Sequence, residues 1–139
     1  GLVIPGGEST TLNKLLKIKK LDEGIIEHSY KGLHLWGTCA GLIILANNLK
    51  LIELDIERNA YGSQINSFSS KIKFCNDNIS VKFIRAPKIV NVGKNVDVLS
   101  VHNGDVIAVS NKNVFATTFH PEVTLDDTVY NYFTSRIRN

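Results

Sequence analysis

The chain has 139 residues, 43% of them hydrophobic, which is enough for one folded domain, 1–139, with a core of its own. Its net charge of +3 is mild and no apolar run is as long as a membrane span, so we expect neither nucleic-acid binding nor membrane insertion. Two cysteines allow no disulfide framework and no zinc-like spacing, and the first residues carry no secretory pattern. These features favour a cytoplasmic protein without a metal.

Apolar runs and turn residues predict strands and helices that alternate in the first third of the chain and mostly strands afterwards. Strands are predicted at 1–4, 33–36, 80–84, 96–101, 106–110 and 114–119, and helices at 11–20, 22–29, 40–47 and 126–138. The Asn103-Gly104 pair predicts a hairpin turn, which adds antiparallel strands. This order favours an α/β fold with three layers, in which an open, mostly parallel sheet has helices on both faces.

The pentad Gly37-Thr38-Cys39-Ala40-Gly41 lies where a buried strand meets an apolar helix. Small neighbours around one nucleophilic residue at such a turn are typical of a nucleophile elbow. We expect the helix N-terminus to favour the thiolate of Cys39. The alternative is that Cys39 is a small buried hydrophobic residue, as most free cysteines are.

A second candidate group stands near the C-terminus in Phe119-His120-Pro121-Glu122. The residue before proline is pushed towards extended geometry, and extended residues two apart face the same side. Glu122 could then orient one ring nitrogen of His120 while the other accepts the proton of Cys39, as in a catalytic triad. The alternative for His120 is a surface histidine at a strand end.

A glycine loop, 5–9, follows the first predicted strand. Its amides can approach a ligand closely, and the amides of Gly7 and Ala40 could form an oxyanion hole for a tetrahedral intermediate. The loop can also be interpreted as a strand-to-helix turn in which Ser9 or Thr10 caps the helix at 11–20. The two interpretations are compatible.

Five segments together resemble the class I (triad) glutamine amidotransferases, and within that class the glutaminase subunits of pyridoxal 5'-phosphate synthase. The elbow and the His-Pro-Glu block are common to the class, whereas the other three blocks are more specific to the vitamin B6 branch. The resemblance covers nearly the whole chain. The segments are Leu-Val-Ile-Pro-Gly-Gly-Glu-Ser-Thr-Thr (2–11), Gly-Thr-Cys-Ala-Gly-Leu-Ile-Ile-Leu-Ala (37–46), Glu-Arg-Asn-Ala-Tyr-Gly-Ser-Gln (57–64) with Ser-Phe (67–68), Phe-Ile-Arg-Ala-Pro (83–87) and Phe-His-Pro-Glu (119–122).

The resemblance implies a flavodoxin-like fold and a hydrolysis of L-glutamine in which Cys39 is the nucleophile, His120 the acid and base, and Glu122 the group that orients the imidazole. It implies no cofactor, and a synthase subunit as the partner that receives the ammonia. It also implies an N-terminal β-α-β stretch that this sequence lacks. The residues that match the glutamine-binding positions of the family are Gly7, Glu8, Ser9, Arg58, Ile84 and Arg85.

The side-chain chemistry agrees with an amino-acid substrate. A free carboxylate pairs well with a guanidinium group, as in Arg58 and Arg85, and a free ammonium pairs with an acidic group, as in Glu8. Outside such motifs these residues would be read as surface charges. Two other functions stay open. The chain could be the glutaminase subunit of imidazole glycerol phosphate synthase, or a fragment that binds the synthase without hydrolysing glutamine. The sequence around Cys75 shows no catalytic or metal-binding pattern, so Cys75 is predicted to be structural or incidental.

Overall fold

The computed structural model describes residues 1–58 and 67–139. Strands and helices alternate up to the end of α3, and strands dominate from there to the C-terminal helix, as predicted. The elements in chain order are β1 (Leu2–Ile4), α1 (Ser9–Ile18), α2 (Leu21–Tyr30), β2 (Leu35–Thr38), α3 (Ala40–Ile43), a π-helical turn (Ile44–Asn48), β3 (Leu54–Glu57), β4 (Ser67–Phe74), β5 (Asp77–Ile84), β6 (Lys88–Val92), β7 (Asp97–His102), β8 (Asp105–Ser110), β9 (Val114–Thr117), a 3-10 turn (Pro121–Val123) and α4 (Thr128–Arg138).

Within the described residues, seven strands form one sheet in the order β1-β2-β9-β8-β6-β3, with β7 paired to β8. The pairs β1-β2 and β2-β9 are parallel. The remaining pairs of this sheet are antiparallel, and β4 and β5 form a separate antiparallel hairpin. The α/β fold is confirmed, and its antiparallel extension is larger than the single predicted hairpin.

Side chains of the central strands alternate between two cores. On one face Leu35 packs in a cluster with Ile25 of α2 and Leu42 of α3. On the other face Trp36 packs in a cluster with Phe133 of α4, the β4-β5 hairpin and other aromatic residues. The prediction of helices on both faces of the sheet is therefore confirmed.

The predicted hairpin is present, since Asn103 and Gly104 take φ angles of 50° and 81° between β7 and β8. The sequence did not predict β3, β4 or β6. The outward positions of β4 are serines and lysines and only Ile72 and Phe74 are buried, so its apolar pattern is weak. No helix among the described residues is both long and apolar enough to cross a membrane.

Candidate active site

Cys39 lies between β2 and α3 in a strained backbone conformation, with φ 50° and ψ −104°. Few non-glycine residues occupy this region, and those that do cluster at functional sites. The neighbouring strand holds the turn in place, because the backbone N–H of Cys39 donates to the carbonyl of Thr117 at 2.8 Å. The predicted turn between strand and helix is therefore present, with the cysteine at its apex.

The two glycines of the pentad let three backbone segments meet. A Cβ atom on Gly37 would lie 2.5 Å from the backbone carbonyl carbon and oxygen of Gly41. A Cβ atom on Gly41 would lie 1.9 Å from the carbonyl oxygen of Ile4 at the end of β1. Neither contact is compatible with a side chain, so β1, β2 and α3 pack at this distance only because both residues are glycine.

His120 is anchored by β5, because its backbone N–H donates to the carbonyl of Lys82 at 2.8 Å. Its backbone is extended, as expected for a residue before proline. Its Nδ1 lies 2.5 Å from Oε1 of Glu122. When this nitrogen carries the proton, the Nε2 atom of the neutral ring is left as an acceptor.

Glu122 contacts the imidazole from a backbone conformation that differs from the expected one. It lies in the 3-10 turn Pro121–Val123, not in extended backbone. Pro121 starts this turn, which is a favourable place for proline because its ring fixes φ and the first N–H groups of a helical turn have no partner within the turn, so the missing N–H of proline costs nothing. The expectation that Glu122 is extended was wrong, although the two side chains meet.

Gly6 forms a slot for the imidazole ring. A Cβ atom on Gly6 would lie 2.3 Å from Cε1 of His120 and 3.2 Å from each ring nitrogen. The absence of a side chain therefore lets the ring pack against the glycine loop. From the sequence we predicted that the amides of this loop bind a ligand, but we did not predict its contact with His120.

A cavity of about 580 Å³ lies over these elements. It brings together eight of the predicted site residues, from the glycine loop, the elbow, the end of β3, the end of β5 and the residue before the 3-10 turn. Glu122 stands behind His120 and is half exposed, and Ala40 is buried beneath the elbow, so neither lines the cavity. The lining residues are Gly7, Glu8, Ser9, Cys39, Ile43, Arg58, Ile84, Arg85, Pro87 and His120.

Two lining residues, Ile43 and Pro87, were not among the predicted ones. Ile43 lies one helical turn after Cys39, so the helical spacing from the elbow could have identified it. Pro87 closes the Ile-Arg-Ala-Pro block. Most of the block at 57–64 lies outside the described residues, but its two charged members, Glu57 and Arg58, are described.

Residues 1–139 match the family model of the SNO glutamine amidotransferase family. The chain belongs to this family. A relative from Clostridium botulinum (strain Loch Maree / Type A3), named pyridoxal 5'-phosphate synthase subunit PdxT, is 44% identical over 96% of this chain and 75% of its own length. A relative of the same name from Thermotoga maritima is 40% identical over 99% of this chain and 79% of its own length.

A solved structure described as a glutamine amidotransferase has the same fold. It superposes with a TM-score of 0.92 at 33% identity and covers 99% of this chain and 78% of the solved chain. The family and this fold agree with the resemblance on which the site residues were chosen. The protein is thus an enzyme of the glutamine amidotransferase type.

The thiol of this amidotransferase is neutral at rest. Burial raises the pKa of Cys39 to about 11, with a further rise from the Glu122 carboxylate, and the N–H of Ala40 opposes them only in part. Sγ of Cys39 donates to the carbonyl oxygen of Ile84 at 3.6 Å, a bond that requires the protonated form. The N–H of Ala40 at the helix end lowers the pKa, as expected, but the loss of solvent on burial outweighs this contribution, so the expectation of a resting thiolate was wrong.

Thiol labelling tests whether Cys39 is neutral at rest. In a Cys75→Ala background, iodoacetamide should modify Cys39 slowly near neutral pH, and the rate should rise about tenfold per pH unit up to about pH 9.5, since only the thiolate reacts. The measurement is the rate of labelling by mass spectrometry at a series of pH values. A rate that stays constant between about pH 6 and pH 9 would contradict a neutral resting thiol.

Glu8 has a structural role at the mouth of the cavity, because it is the N-cap of α1. Its carboxylate accepts from Oγ1 of Thr11 at 2.7 Å and from the backbone N–H groups of Thr11 and Thr10 at 2.8 and 3.0 Å. The interpretation in which Ser9 or Thr10 is the cap was wrong, and α1 begins two residues earlier than predicted. An acidic side chain is favourable there because the first amides of a helix carry partial positive charge.

The same contacts keep Glu8 ionised. Hydrogen bonds from the side chain and the backbone of Thr11 and from the backbone of Thr10 lower its pKa from 4.5 to about 2. A lowered folded-state pKa gives stability above the unfolded value, so the contribution of this cap is present above pH 4.5 and is lost as the pH falls towards 2. At neutral pH the cavity therefore presents a fixed negative charge.

Arg58 and Arg85 bring positive charge to the same cavity. Arg85 follows β5 with a φ of 45°, a conformation that turns the chain at the cavity wall. The cavity thus contains a thiol, an imidazole, two guanidinium groups and one carboxylate. Among residues 1–58 and 67–139, no group of three or more histidine, cysteine, aspartate and glutamate residues could hold a metal ion.

Proposed function

We propose that this chain is the glutaminase subunit of a pyridoxal 5'-phosphate synthase, and that it hydrolyses L-glutamine to L-glutamate and ammonia in the cavity that Cys39 and His120 share. The observation that carries the proposal is the single cavity that contains both residues together with Glu8, Arg58 and Arg85. Its volume of about 580 Å³ is within the usual range for small-ligand sites. Relatives of similar sequence are named as subunits of that synthase.

Binding of glutamine follows from the charges of the cavity. The guanidinium groups of Arg58 and Arg85 can pair with the α-carboxylate, since their planar donors match a carboxylate. The ionised carboxylate of Glu8 can attract the α-ammonium. Gly7, Ser9 and Ile84 contribute the remaining contacts of this proposed binding site. The side-chain amide of the substrate then lies towards Cys39.

The first half of the reaction is attack of Sγ of Cys39 on the side-chain amide carbon. Because the thiol is neutral at rest, its proton passes to His120 as the sulfur–carbon bond forms. Glu122 stabilises the resulting imidazolium through Nδ1. The amides of Gly7 and Ala40 are the proposed donors to the oxyanion. His120 then gives its proton to the leaving nitrogen, the carbon–nitrogen bond breaks, and ammonia is released from a glutamyl thioester.

The second half reverses these roles. Water loses a proton to His120 as its oxygen attacks the thioester carbon, and the sulfur–carbon bond breaks. The sulfur leaves with the proton from His120, so the neutral thiol of Cys39 and one glutamate are regenerated. No electron is transferred, and this chain needs no cofactor for either half. Ammonia that escaped into water would be protonated, which explains a partner subunit that receives it directly.

The packing of Gly6 against the imidazole gives a prediction about positioning. In Gly6→Ala, the new methyl group would overlap Cε1 of His120, so the ring must shift. A displacement of about 1 Å can reduce catalysis about 100-fold, and we expect that loss in kcat with little change in KM. Steady-state kinetics of glutamate release measure both parameters.

Gly24→Ala is the control for this variant. A Cβ atom on Gly24 would have no neighbour within 4 Å, so kcat should stay within about twofold of the wild-type value. A kcat of Gly6→Ala equal to that of Gly24→Ala would contradict the positioning of His120 by Gly6.

The proposed function is tested by two assays on the same preparation. One measures glutamate release from glutamine with and without the synthase subunit, and the other measures pyridoxal 5'-phosphate formation with glutamine as the nitrogen source. We expect both activities in the mixture. Glutamate release that the synthase does not turn into pyridoxal phosphate would indicate another class I glutaminase, and binding without glutamate release would indicate a non-catalytic module.

A further inference from the structure

Thr117, the last residue of β9, is hydrogen bonded to both segments that carry the proposed chemistry. Its carbonyl oxygen accepts from the backbone N–H of Cys39 at 2.8 Å. Its hydroxyl accepts from Nε1 of Trp36 at 3.2 Å and donates to the carbonyl of Phe119 at 3.4 Å. A single residue is therefore bonded to the nucleophile and to the residue that precedes His120.

Packing alone does not explain the hydroxyl of Thr117. The residue is fully buried, and a buried hydroxyl costs free energy unless it is hydrogen bonded, whereas valine has nearly the same shape and no such cost. Two nearby threonines provide a comparison. Among the described residues, the buried hydroxyls of Thr38 and Thr118 have no hydrogen-bond partner, but that of Thr117 has two. Of these three hydroxyls, only that of Thr117 links separate segments of the chain.

The direction in which this hydroxyl donates follows from its partners. An indole N–H can only donate, so Oγ1 of Thr117 is the acceptor of the bond from Trp36. The hydroxyl proton is then left for the carbonyl of Phe119. The indole is itself packed between aromatic rings, with its centroid 5.3 Å from that of Phe115 and 5.5 Å from that of Phe133. Trp36 therefore orients the hydroxyl of Thr117 towards Phe119.

The carbonyl of Phe119 belongs to the peptide group that leads into His120. This group is planar, so bonds to its two polar atoms fix its orientation. Its oxygen accepts from Thr117, and its N–H, which is that of His120, donates to the carbonyl of Lys82 at 2.8 Å. The imidazole extends from the residue that follows this plane. Rotation of the peptide group would therefore displace the imidazole relative to Cys39.

We propose that Thr117 is a positioning residue, whose hydroxyl holds the peptide group before His120 so that the imidazole faces Cys39. The proposal rests on the proposed function, because it takes these two residues as base and nucleophile. The bond from Thr117 to the elbow uses its backbone carbonyl, so a change of the side chain releases only the segment of His120. Thr117 does not line the cavity, and we therefore expect its hydroxyl to affect kcat and not KM.

Two pairs of proteins, each with and without this hydroxyl, test the proposal. One pair is the wild type and Thr117→Val, and the other is Thr117→Ser and Thr117→Ala. Within each pair, loss of the hydroxyl should lower kcat for glutamate release by about tenfold or more, while KM changes by about twofold or less. Steady-state kinetics in the presence of the synthase subunit measure both parameters, at a temperature well below the lowest unfolding midpoint of the four proteins.

Thr118→Val is the matched control. The hydroxyl of Thr118 is buried and has no partner among the described residues, so its loss should leave kcat within about twofold of the wild-type value. Labelling of Cys39 by iodoacetamide in a Cys75→Ala background reports on the elbow. Its rate should be the same with and without Thr117→Val, because the carbonyl of residue 117 is retained. Faster labelling with Thr117→Val would show that the elbow itself moves, and would overturn the proposal.

The pattern of kcat across the four proteins separates positioning from packing. Equal kcat values within each pair, with an active wild-type protein, would overturn the role of the hydroxyl and leave the proposed function intact. A kcat that follows side-chain size, low in Thr117→Ser and Thr117→Ala but near wild type in Thr117→Val, would assign a packing role and also overturn the proposal. Absence of glutamate release by the wild-type complex would overturn the proposed function and the positioning role together.

Discussion

Cys39→Ala is expected to abolish glutamine-dependent synthesis of pyridoxal 5'-phosphate while synthesis from added ammonium salt continues. Without the sulfur no glutamyl thioester forms, and His120 alone has no nucleophile to activate. Loss of a nucleophile that works as part of a unit lowers the rate by about 10⁴-fold or more, so glutamate release should fall to the background level. The synthase subunit takes ammonia from solution in this experiment, so its own chemistry is unaffected.

Cys75→Ala is the matched control. Cys75 is the other cysteine of the chain, and it is exposed in the turn between β4 and β5 with a φ of 53°. Its replacement should leave the rate of glutamate release within about twofold of the wild-type rate. Retention of glutamine hydrolysis by Cys39→Ala, or an equal loss in Cys75→Ala, would contradict the assignment of Cys39 as the nucleophile.

Gly41→Ala should have the largest effect on stability. The new Cβ atom would lie 1.9 Å from the carbonyl oxygen of Ile4 and 2.8 Å from its carbon, and backbone atoms within a sheet have little room to move. Separation of β1 from α3 would open the core around Ile4 and Leu42, so we expect a loss of about 3 kcal/mol or more in the free energy of unfolding. The midpoint of urea denaturation measures this loss.

Gly24→Ala provides the contrast within the same chain. Gly24 lies in the middle of α2, and a methyl group there meets no atom within 4 Å. We expect this variant to gain about 0.5 to 1 kcal/mol, because alanine loses less backbone entropy in a helix than glycine. A Gly41→Ala protein as stable as wild type would show that β1 and α3 do not need the close approach at the elbow.

The main features of the site could be predicted because they depend on local chemistry. A cysteine between two glycines at a strand-to-helix junction specifies the elbow, and a histidine before proline specifies an extended residue. These are short-range steric rules, so they are readable in a single sequence. The same is true of the hairpin at Asn103-Gly104, where the turn type follows from two residues.

The features that were missed depend on packing between distant segments. The pKa of Cys39 follows from burial under residues from other elements, and burial is not encoded in the five residues around it. The slot that Gly6 forms for His120 joins residues more than a hundred positions apart. β6 is a strand because it lies between β3 and β8, and its own composition, with Lys88 and Asn91, gives a weak signal.

The C-terminal end of α3 is another feature that the sequence pattern did not specify. The sequence predicts one helix over 40–47, whereas the structure has α3 followed by a π-helical turn at Ile44–Asn48. In that turn the backbone N–H of Leu49 donates to the carbonyl of Ile44 at 2.9 Å, an i to i+5 bond. Ile44, Leu45 and Ala46 remain buried through the change. Apolar periodicity identifies the buried segment, but it does not distinguish these two helical geometries.

The covalent intermediate is the most direct test of the mechanism. The complex of this chain with its synthase subunit would be mixed with glutamine, quenched in acid during turnover, digested and analysed by mass spectrometry. A glutamyl group should be found on the peptide that contains Cys39 and should be absent from the same peptide after prolonged incubation, when glutamine is exhausted. During active turnover, absence of that adduct, or its presence on the peptide that contains Cys75, would contradict thioester catalysis at the elbow.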